Sequence, residues 1–269
     1  MPNKRNSYCG FGRQSSVAVL LAIFGFAPFS LAEEPLVTDR PDFTESSSTV
    51  GSGVLQIEAG LTHADFKDGT DVTTAGEVLA RWGAAEKLEL RFILPTYVRE
   101  SSAEGNVSGF SNTGLGLKVE LAQGEGKGLI GGMEAALIAS TTIPTGSSVL
   151  LDESWQPSGV LSLGWEMSST LGLGVNLGAA RPVDEGQRFT SAWASVALGI
   201  GLTDAVSWFI ELYGFNREEL RGPDTATFQT GLVYLINPDF QLDARAGRRL
   251  TDRGVDFLFG AGLSWRLGG

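Results

Sequence analysis

The feature that most constrains the fold of this chain is an alternation of apolar residues with polar or small ones, repeated in about a dozen short segments. In the last segment, every second residue from Phe257 to Leu267 is apolar, whereas glycine, serine and arginine fill most of the positions between them. Successive side chains of a β-strand point to opposite faces of the sheet. The alternation therefore predicts strands with one apolar face and one face of polar or small residues.

Twelve segments carry the alternation, each of about 11–14 residues, which is the length of a tilted transmembrane strand with some overhang. They lie near residues 53–65, 72–83, 87–100, 111–122, 128–141, 157–168, 170–182, 189–202, 205–215, 225–236, 239–249 and 255–267. Longer connections alternate with shorter ones along the chain. The longer ones are at 66–71, 101–110, 142–156, 183–188, 216–224 and 250–254, and the shorter ones are near 84–86, 123–126, 169, 203–204 and 237–238. The pattern predicts an all-β fold, a transmembrane antiparallel up-and-down β-barrel of about 12 strands with short periplasmic turns and longer external loops. Composition alone leaves a soluble all-β protein open.

The beginning of the chain is predicted to be a cleavable secretory signal. Lys4, Arg5 and Arg13 form a basic start. Residues 17–29 are mostly apolar, and small residues lead up to Ala32, after which we expect cleavage and export to the bacterial outer membrane. A retained membrane helix is the alternative, but it needs about 20 apolar residues. The expected domains are the signal (1–32), an N-terminal periplasmic or lumenal segment (33–52) and the barrel (53–269).

Charge and composition exclude several classes of function. The formal net charge is −11, and it becomes −14 without the first 32 residues, which contain three basic residues and no acidic ones. Nucleic acid is not an expected partner of such an acidic chain, because phosphate contacts need basic patches. Cys9, within the signal, is the only cysteine and His63 is the only histidine, so we expect no metal site and no cofactor.

Aromatic residues on the outward-facing parity of the strands cluster at one height. If odd-numbered segments run outward and even-numbered ones return, these residues fall near the periplasmic end. Amphipathic rings prefer the interface between lipid and water, so the cluster predicts a periplasmic aromatic girdle. Its members are Trp82, Trp165, Trp208, Tyr234, Phe240 and Trp265.

The opposite parity carries most of the strand charges. A charge facing hydrocarbon costs several kcal/mol at the bilayer midplane, roughly 2–4, so these side chains are expected to face the lumen. They are Glu58, Glu77, Arg81, Glu89, Arg91, Lys118, Glu120, Glu134, Glu166, Glu211, Asp243, Arg245, Arg249 and Arg266. Such a lining serves either a structural network of paired charges or a water-filled solute path, and the sequence leaves both open.

Residues 33–52 do not follow the alternation. They are dense in polar side chains, and Pro41 cannot donate a backbone hydrogen bond to a strand ladder. Because this segment begins on the periplasmic side, it is expected to fold into the lumen as a plug or gate, or to remain a periplasmic tail. The plug or gate residues would be Asp39, Arg40, Asp42 and Glu45.

Both ends of the mature chain resemble a known family. Residues 38–42 (Thr-Asp-Arg-Pro-Asp), 44–46 (Thr-Glu-Ser) and 55–58 (Leu-Gln-Ile-Glu) are similar to the start of the outer-membrane family called "MetA-pathway of phenol degradation". Residues 241–247 and 259–266 resemble its last hairpin. The resemblance implies an outer-membrane barrel of the transporter or channel type, sometimes encoded beside genes for the breakdown of aromatic compounds.

Three functions are compatible with this sequence. The expected one is a porin-like channel that is not an enzyme and that passes small solutes, aromatic or hydrophobic compounds among them, down their gradient. A non-conducting structural or adhesion barrel with a charge-filled lumen is the alternative. A membrane-embedded hydrolase would need His63 as its base, within hydrogen-bond reach of a serine. Expected partners are outer-membrane lipid and a small solute, and the sequence does not indicate an oligomeric state.

Overall fold

The strands predicted from the alternation are present. The computed structural model describes residues 35–124, 132–148, 154–252 and 254–268, so the expected signal lies outside the described residues. The strands within these ranges are β1 (Leu55–Phe66), β2 (Asp71–Ala75), β3 (Leu79–Ala85), β4 (Leu88–Ile93), β5 (Tyr97–Ser102), β6 (Gly105–Phe110), β7 (Thr113–Ala122), β8 (Met133–Ile143), β9 (Gln156–Ser168), β10 (Leu171–Ala180), β11 (Val183–Asp184), β12 (Gln187–Arg188), β13 (Ser191–Gly201), β14 (Val206–Phe215), β15 (Thr225–Asn237), β16 (Phe240–Arg249) and β17 (Val255–Leu267).

The sheet closes on itself. Neighbouring strands pair antiparallel around the wall, and β1 pairs with β17 from Leu55 opposite Leu267 to Phe66 opposite Val255. Three strands of the wall are each interrupted once, so that β2 continues as β3, β4 as β5 and β6 as β7. Counted in this way the barrel has 12 strands, which confirms the predicted fold class.

Two of the three interruptions have local causes. Between β2 and β3, Gly76 has a φ of 73°, and the N–H groups of Gly76 and Glu77 both donate to the carbonyl of Gly60. Pro95 separates β4 from β5, because proline has no N–H for the ladder. The wall continues beyond these points through the pairings of β2 with β5 and of β5 with β6.

Some predicted connections differ from the observed ones. Residues 101–110 were expected to be a loop, but most of them extend the wall as the hairpin β5–β6, which turns at 103–104. Of the segment predicted at 128–141, residues 128–131 lie outside the described residues, and the strand described there is β8 from Met133. The loop at 183–188 contains the small hairpin β11–β12. We call the end with the longer connections the loop end and the opposite end the turn end; by the predicted topology they are external and periplasmic.

The barrel is polar inside and apolar outside. Leu212, Val196 and Leu232 on the outer face are 47%, 40% and 51% exposed. Among the described residues, every large, fully buried side chain except Ile138 is polar or charged: Arg81, Lys118, Gln56, Gln229, Glu58, Glu89, Glu211, Asn176, Ser162 and Ser264. This distribution is the reverse of that in a water-soluble protein and suits a wall between lipid and a polar lumen.

The six aromatic residues expected in the girdle all lie near the turn end. Trp82, Trp208, Tyr234 and Trp265 are exposed, and Trp165 and Phe240 are half-buried. Phe240 lies directly opposite Trp265 in the pairing of β16 with β17. Within the described ranges, no helix is long and apolar enough to cross a membrane.

A single charge introduced on the outer face tests whether that face lies against the bilayer. Replacing Leu212, near the middle of β14, by arginine should lower the free energy of unfolding in lipid vesicles by about 2–4 kcal/mol, because the guanidinium would lie near the bilayer midplane. The same substitution at Leu250, in a loop-end connection, should cost little because the side chain stays in water. Urea titration of both variants measures the difference, and equal losses would contradict the assignment of the outer face.

Candidate functional site in the barrel lumen

Residues 35–52, which we call the lumen segment, fold into the barrel from its turn end. The N–H of Leu36 donates to the carbonyl of Pro238, in the turn between β15 and β16, at 2.8 Å. The chain rises to Phe43, beside the upper half of β14, and returns to the turn end before β1 begins. There Gly83 has no side chain, and a Cβ at this position would collide with the carbonyl oxygen of Gly51.

Carboxylates of the wall bind the main chain of the rising half of the segment. Glu58 on β1 accepts the N–H groups of Asp39 at 3.1 Å and of Arg40 at 2.9 Å. Glu211 on β14 accepts those of Phe43 at 2.9 Å and of Thr44 at 2.6 Å. A carboxylate that accepts two backbone N–H groups satisfies donors that would otherwise be buried without a partner.

Carboxylates on three other strands hold the returning half, through its main chain or its hydroxyl groups. Glu134 on β8 accepts the Ser47 hydroxyl at 2.7 Å. The N–H of Thr49 donates to Glu120 on β7 at 2.7 Å. Glu89 on β4 accepts the N–H of Val50 at 3.1 Å. Acids on five strands around the barrel therefore point to the lumen segment, which they bind mainly through its main chain.

The Asp39 carboxylate is the main partner of the buried bases. It lies 2.6 Å from Arg91 Nη1, 3.0 Å from Lys118 Nζ and 3.5 Å from Arg81 Nε. Burial by itself would raise the pKa of Asp39, but the positive charges of Arg81, Lys118 and Arg91 outweigh it and hold this pKa well below the ordinary value of 3.8. The stability from this carboxylate is therefore complete above pH 3.8 and is lost as the pH falls from there through the lowered pKa.

Arg40 lies across the seam where the barrel closes. Its guanidinium is 3.1 Å from Glu77 and 3.2 Å from Asp243. Beneath it, Gly60 on β1 and Gly262 on β17 are directly opposite each other. A Cβ at either glycine would collide with the Arg40 side chain, so these two glycines make the room in which the arginine lies.

Further contacts attach the segment at Pro41 and Glu45. Arg245 on β16 donates to the carbonyl of Pro41 at 2.7 Å and to the Thr62 hydroxyl at 3.0 Å. The carboxylate of Glu45 lies 2.8 Å from Arg91 Nη2, and its main-chain N–H donates to Asn176 at 2.7 Å. Three of the four expected plug residues therefore have charged partners on the wall, and the fourth, Asp42, lies near Glu211 and Arg245.

Most of the charged residues predicted for the lumen meet in this network, but three lie outside it. Arg249 pairs with Asp256 at 3.0 Å near the loop end. Arg266 pairs with Asp239 at 2.7 Å at the turn end. Glu166 is exposed at the turn end of β9, beside an irregularity in the pairing of β9 with β10. The remaining members are Glu58, Glu77, Arg81, Glu89, Arg91, Lys118, Glu120, Glu134, Glu211, Asp243 and Arg245.

Sequence reasoning missed the neutral polar residues on the inner face. Gln56 donates to the carbonyl of Val37 at 2.9 Å, and Ser162 donates to the carbonyl of Glu45 at 2.7 Å. Ser195 Oγ lies 2.7 Å from Thr44 Oγ1. Their parity matches that of the lumen charges, so the signal was present in the alternation that located those charges.

A group of aromatic residues inside the barrel was also missed. The ring of Phe43 stacks on that of Tyr213, with 4.4 Å between centroids and 19° between planes, and meets the ring of Phe215 edge-on at 5.5 Å. Phe215 in turn lies 5.8 Å from Trp193, its partner on β13. All four rings are half-buried. They lie toward the loop end, above the charged network.

The loop end also carries a cavity and the lone histidine. The cavity has a volume of about 520 Å³ and is lined by Phe66, Lys67, Asp68, Glu218, Glu219, Gly222, Pro223, Thr225, Asp252 and Gly254. His63 Nδ1 lies 2.8 Å from the Thr73 hydroxyl, and its Nε2 lies 3.3 Å from Asp65. Across the residues with described positions, no cluster of histidine, cysteine and acidic side chains is arranged to hold a metal ion.

The fold defines an outer-membrane β-barrel, and similar barrels have been solved. One is an outer-membrane channel from Pseudomonas putida F1, with 14% sequence identity and a TM-score of 0.60 over 82% of this chain and 98% of that one. The NanC porin has 11% identity and a TM-score of 0.52 over 79% of this chain and 100% of that one. The KdgM porin in complex with disordered oligogalacturonate has 9% identity and a TM-score of 0.50 over 78% of this chain and 99% of that one. These neighbours are channels and porins, and at such identities the likeness concerns the fold.

The chain belongs to the family described as "Putative MetA-pathway of phenol degradation", whose family model matches residues 38–267. The match confirms the resemblance seen at the two ends of the chain, and it includes most of the lumen segment. No curated protein sequence matches this chain.

Arg40 and the glycine beneath it provide a test of how the segment is attached. Gly60→Ala should displace Arg40 from Glu77 and Asp243 and lower the free energy of unfolding by about 1–3 kcal/mol, the usual cost of overpacking. Gly199→Ala, on the inner face of β13, is the matched control, because the nearest atom to its Cβ would be 4.0 Å away. Urea titration in detergent compares the two.

Gly60→Ala in a variant without Arg40 distinguishes a collision with the Arg40 side chain from a general effect of the substitution on β1. In an Arg40→Ala background, Gly60→Ala should cost little, because the atoms with which the new Cβ collides are gone. A similar cost with and without Arg40 would contradict the proposed contact.

Proposed function

We propose that this protein is an outer-membrane channel through which small solutes, aromatic compounds among them, diffuse passively, and that the lumen segment is its gate. In this proposal Asp39, Arg40, Asp42 and Glu45 hold the gate in the lumen. Solutes move through the upper lumen and then past the segment once it shifts. Outer-membrane lipid surrounds the barrel.

The observation that carries the proposal is the kind of contact that holds the segment. From Val37 to Val50 its main chain is bonded to side chains of the wall, such as Glu58, Glu120 and Glu211, rather than to strand backbone. Backbone pairing occurs near its beginning, at Leu36, and just after its end, at Gly53. Water can replace side-chain acceptors one at a time, so the segment can shift without opening the barrel wall.

The solute class is supported by two independent features. The family to which the chain belongs is described by a pathway of phenol degradation. The upper lumen carries the rings of Trp193, Tyr213 and Phe215, which offer flat apolar faces. Similar barrels described as an outer-membrane channel and as porins support passage of small solutes in general.

One observation favours the alternative, a non-conducting structural barrel. The side chains of Arg81, Lys118 and Glu58 are withdrawn completely from solvent, so the lower lumen is closely filled in the structure described here. If the segment never moves, this network serves only to stabilise the barrel. The two proposals therefore differ in a single property, the ability of the segment to move.

A disulfide between the segment and the wall tests that property. Thr44 Oγ1 and Ser195 Oγ are 2.7 Å apart, which suits a pair of sulfurs bonded at about 2.05 Å. In a Cys9→Ser background, Thr44→Cys with Ser195→Cys has no competing thiol. In planar bilayers we expect the oxidised form to show little conductance and the reduced form to regain that of the unmodified protein.

The matched control is a disulfide that does not touch the segment. Ser140 Oγ on β8 and Ser158 Oγ on β9 are also 2.7 Å apart, and their replacement by cysteines should leave conductance unchanged on oxidation. Equal conductance of oxidised and reduced Thr44→Cys/Ser195→Cys would overturn the gate. No conductance in any form would overturn the channel and favour the structural barrel.

A further inference from the structure

The upper lumen contains rings from two neighbouring strands and one ring from the lumen segment. Trp193 and Phe215 are directly opposite on β13 and β14, and Ser195 is opposite Tyr213. The side chains of Trp193, Tyr213 and Phe215 all point inward, the parity on which Ser195 and Glu211 also lie. The fourth ring, Phe43, belongs to the part of the segment that reaches furthest from the turn end.

The backbone makes room for this arrangement. Trp193 lies across Gly178 on β10, and a Cβ at Gly178 would collide with the indole ring. The indole can therefore lie against the wall instead of projecting across the lumen. The rings of Trp193, Tyr213 and Phe215 thus form a shallow apolar patch on the wall, which we call the ring site.

Phe43 occupies the ring site in a defined geometry. It stacks face to face on Tyr213 at 4.4 Å and edge-on to Phe215 at 5.5 Å, two preferred arrangements of aromatic pairs. The main chain on either side is attached to Glu211 through the N–H groups of Phe43 and Thr44. The uppermost part of the segment is therefore held by one carboxylate and one ring.

We propose that the ring site binds aromatic solutes of the size of a single benzene ring, and that such a solute competes with Phe43 and so loosens the lumen segment. The inference deepens the proposed channel function and rests on it for its role in transport. A phenyl ring of the chain already fills the site, so a free ring of the same size meets the same two partners. The carboxylate of Glu211, which binds the main chain beside the site, favours an uncharged ring over a benzoate.

Competition gives the ring site two roles. A solute that reaches the upper lumen finds a place to bind, and the same event removes the ring contact that holds the end of the segment. A ligand shifts an equilibrium only by its differential affinity for the two states. Here the solute binds only the state in which Phe43 has left the ring site, because the two rings cannot occupy the same place.

Binding of phenol to the purified full-length protein tests the site without any need for conductance. Phe43→Leu removes the competing ring and should tighten phenol binding, whereas Tyr213→Leu removes the stacking face and should weaken it, each by roughly 2- to 12-fold for one aromatic pair. Phe257→Leu, the same change on the exposed outer face, should leave it unchanged. Ligand-observed NMR titration in detergent gives the three affinities.

Two comparisons make the test specific for a planar ring. Cyclohexanol has the size and the hydroxyl of phenol but no flat π face, so its binding should not follow the order of the variants. In a Thr44→Cys, Cys9→Ser protein, phenol should speed labelling of the thiol by a maleimide, and cyclohexanol should not. Mobility on unheated gels checks that each variant has folded.

The outcomes separate the two proposals. Equal phenol affinity in the Phe43→Leu, Tyr213→Leu and Phe257→Leu variants would overturn the ring site even if the protein conducts. The predicted order of affinities without conductance in any variant would support the ring site and overturn the channel. The predicted order with no change in thiol labelling would overturn the competition with Phe43.

Discussion

The structure depends on how charge is accommodated inside a barrel whose outer face is apolar. Most strand charges lie on the inner face, where Arg81, Lys118 and Glu58 are fully buried. Leaving one member of a buried ion pair without its partner costs about 3–5 kcal/mol, so each of these groups needs a partner. Asp39 supplies one for the bases, and main-chain N–H groups of the lumen segment supply others for the acids. Wall and segment are therefore complementary, and each satisfies polar groups that the other buries.

The same complementarity explains why glycine occurs at particular inner positions. Gly60 and Gly262 leave space for the Arg40 guanidinium, Gly83 for the returning main chain at Gly51, and Gly178 for the indole of Trp193. At these sites the missing side chain permits a close approach that a Cβ would prevent. The proposed gate and the proposed ring site both use this space, the first for a charged contact and the second for an aromatic one.

Much of this arrangement could be predicted from the sequence. The two-residue alternation located the strands and assigned Glu58, Arg81 and Lys118 to one face, because side-chain direction follows from strand geometry alone. It did not indicate the interruption at Gly76 or the extension of the wall through residues 101–110, which depend on pairing with neighbouring strands. It also passed over Ser195 and Trp193, whose inward parity was as clear as that of the charges but whose side chains are uncharged.

The sequence by itself determined which strand residues point outward and which point into the lumen, because that property is local and repeats every two residues. Only the tertiary structure decided which inner residues meet one another. Arg40 contacts Asp243 across a separation of 203 residues, because closure of β1 on β17 brings the two ends of the chain together. Phe43 reaches Tyr213 because the segment crosses the lumen. Distances across a closed barrel depend on strand number, register and the path of the segment, and no local pattern encodes them.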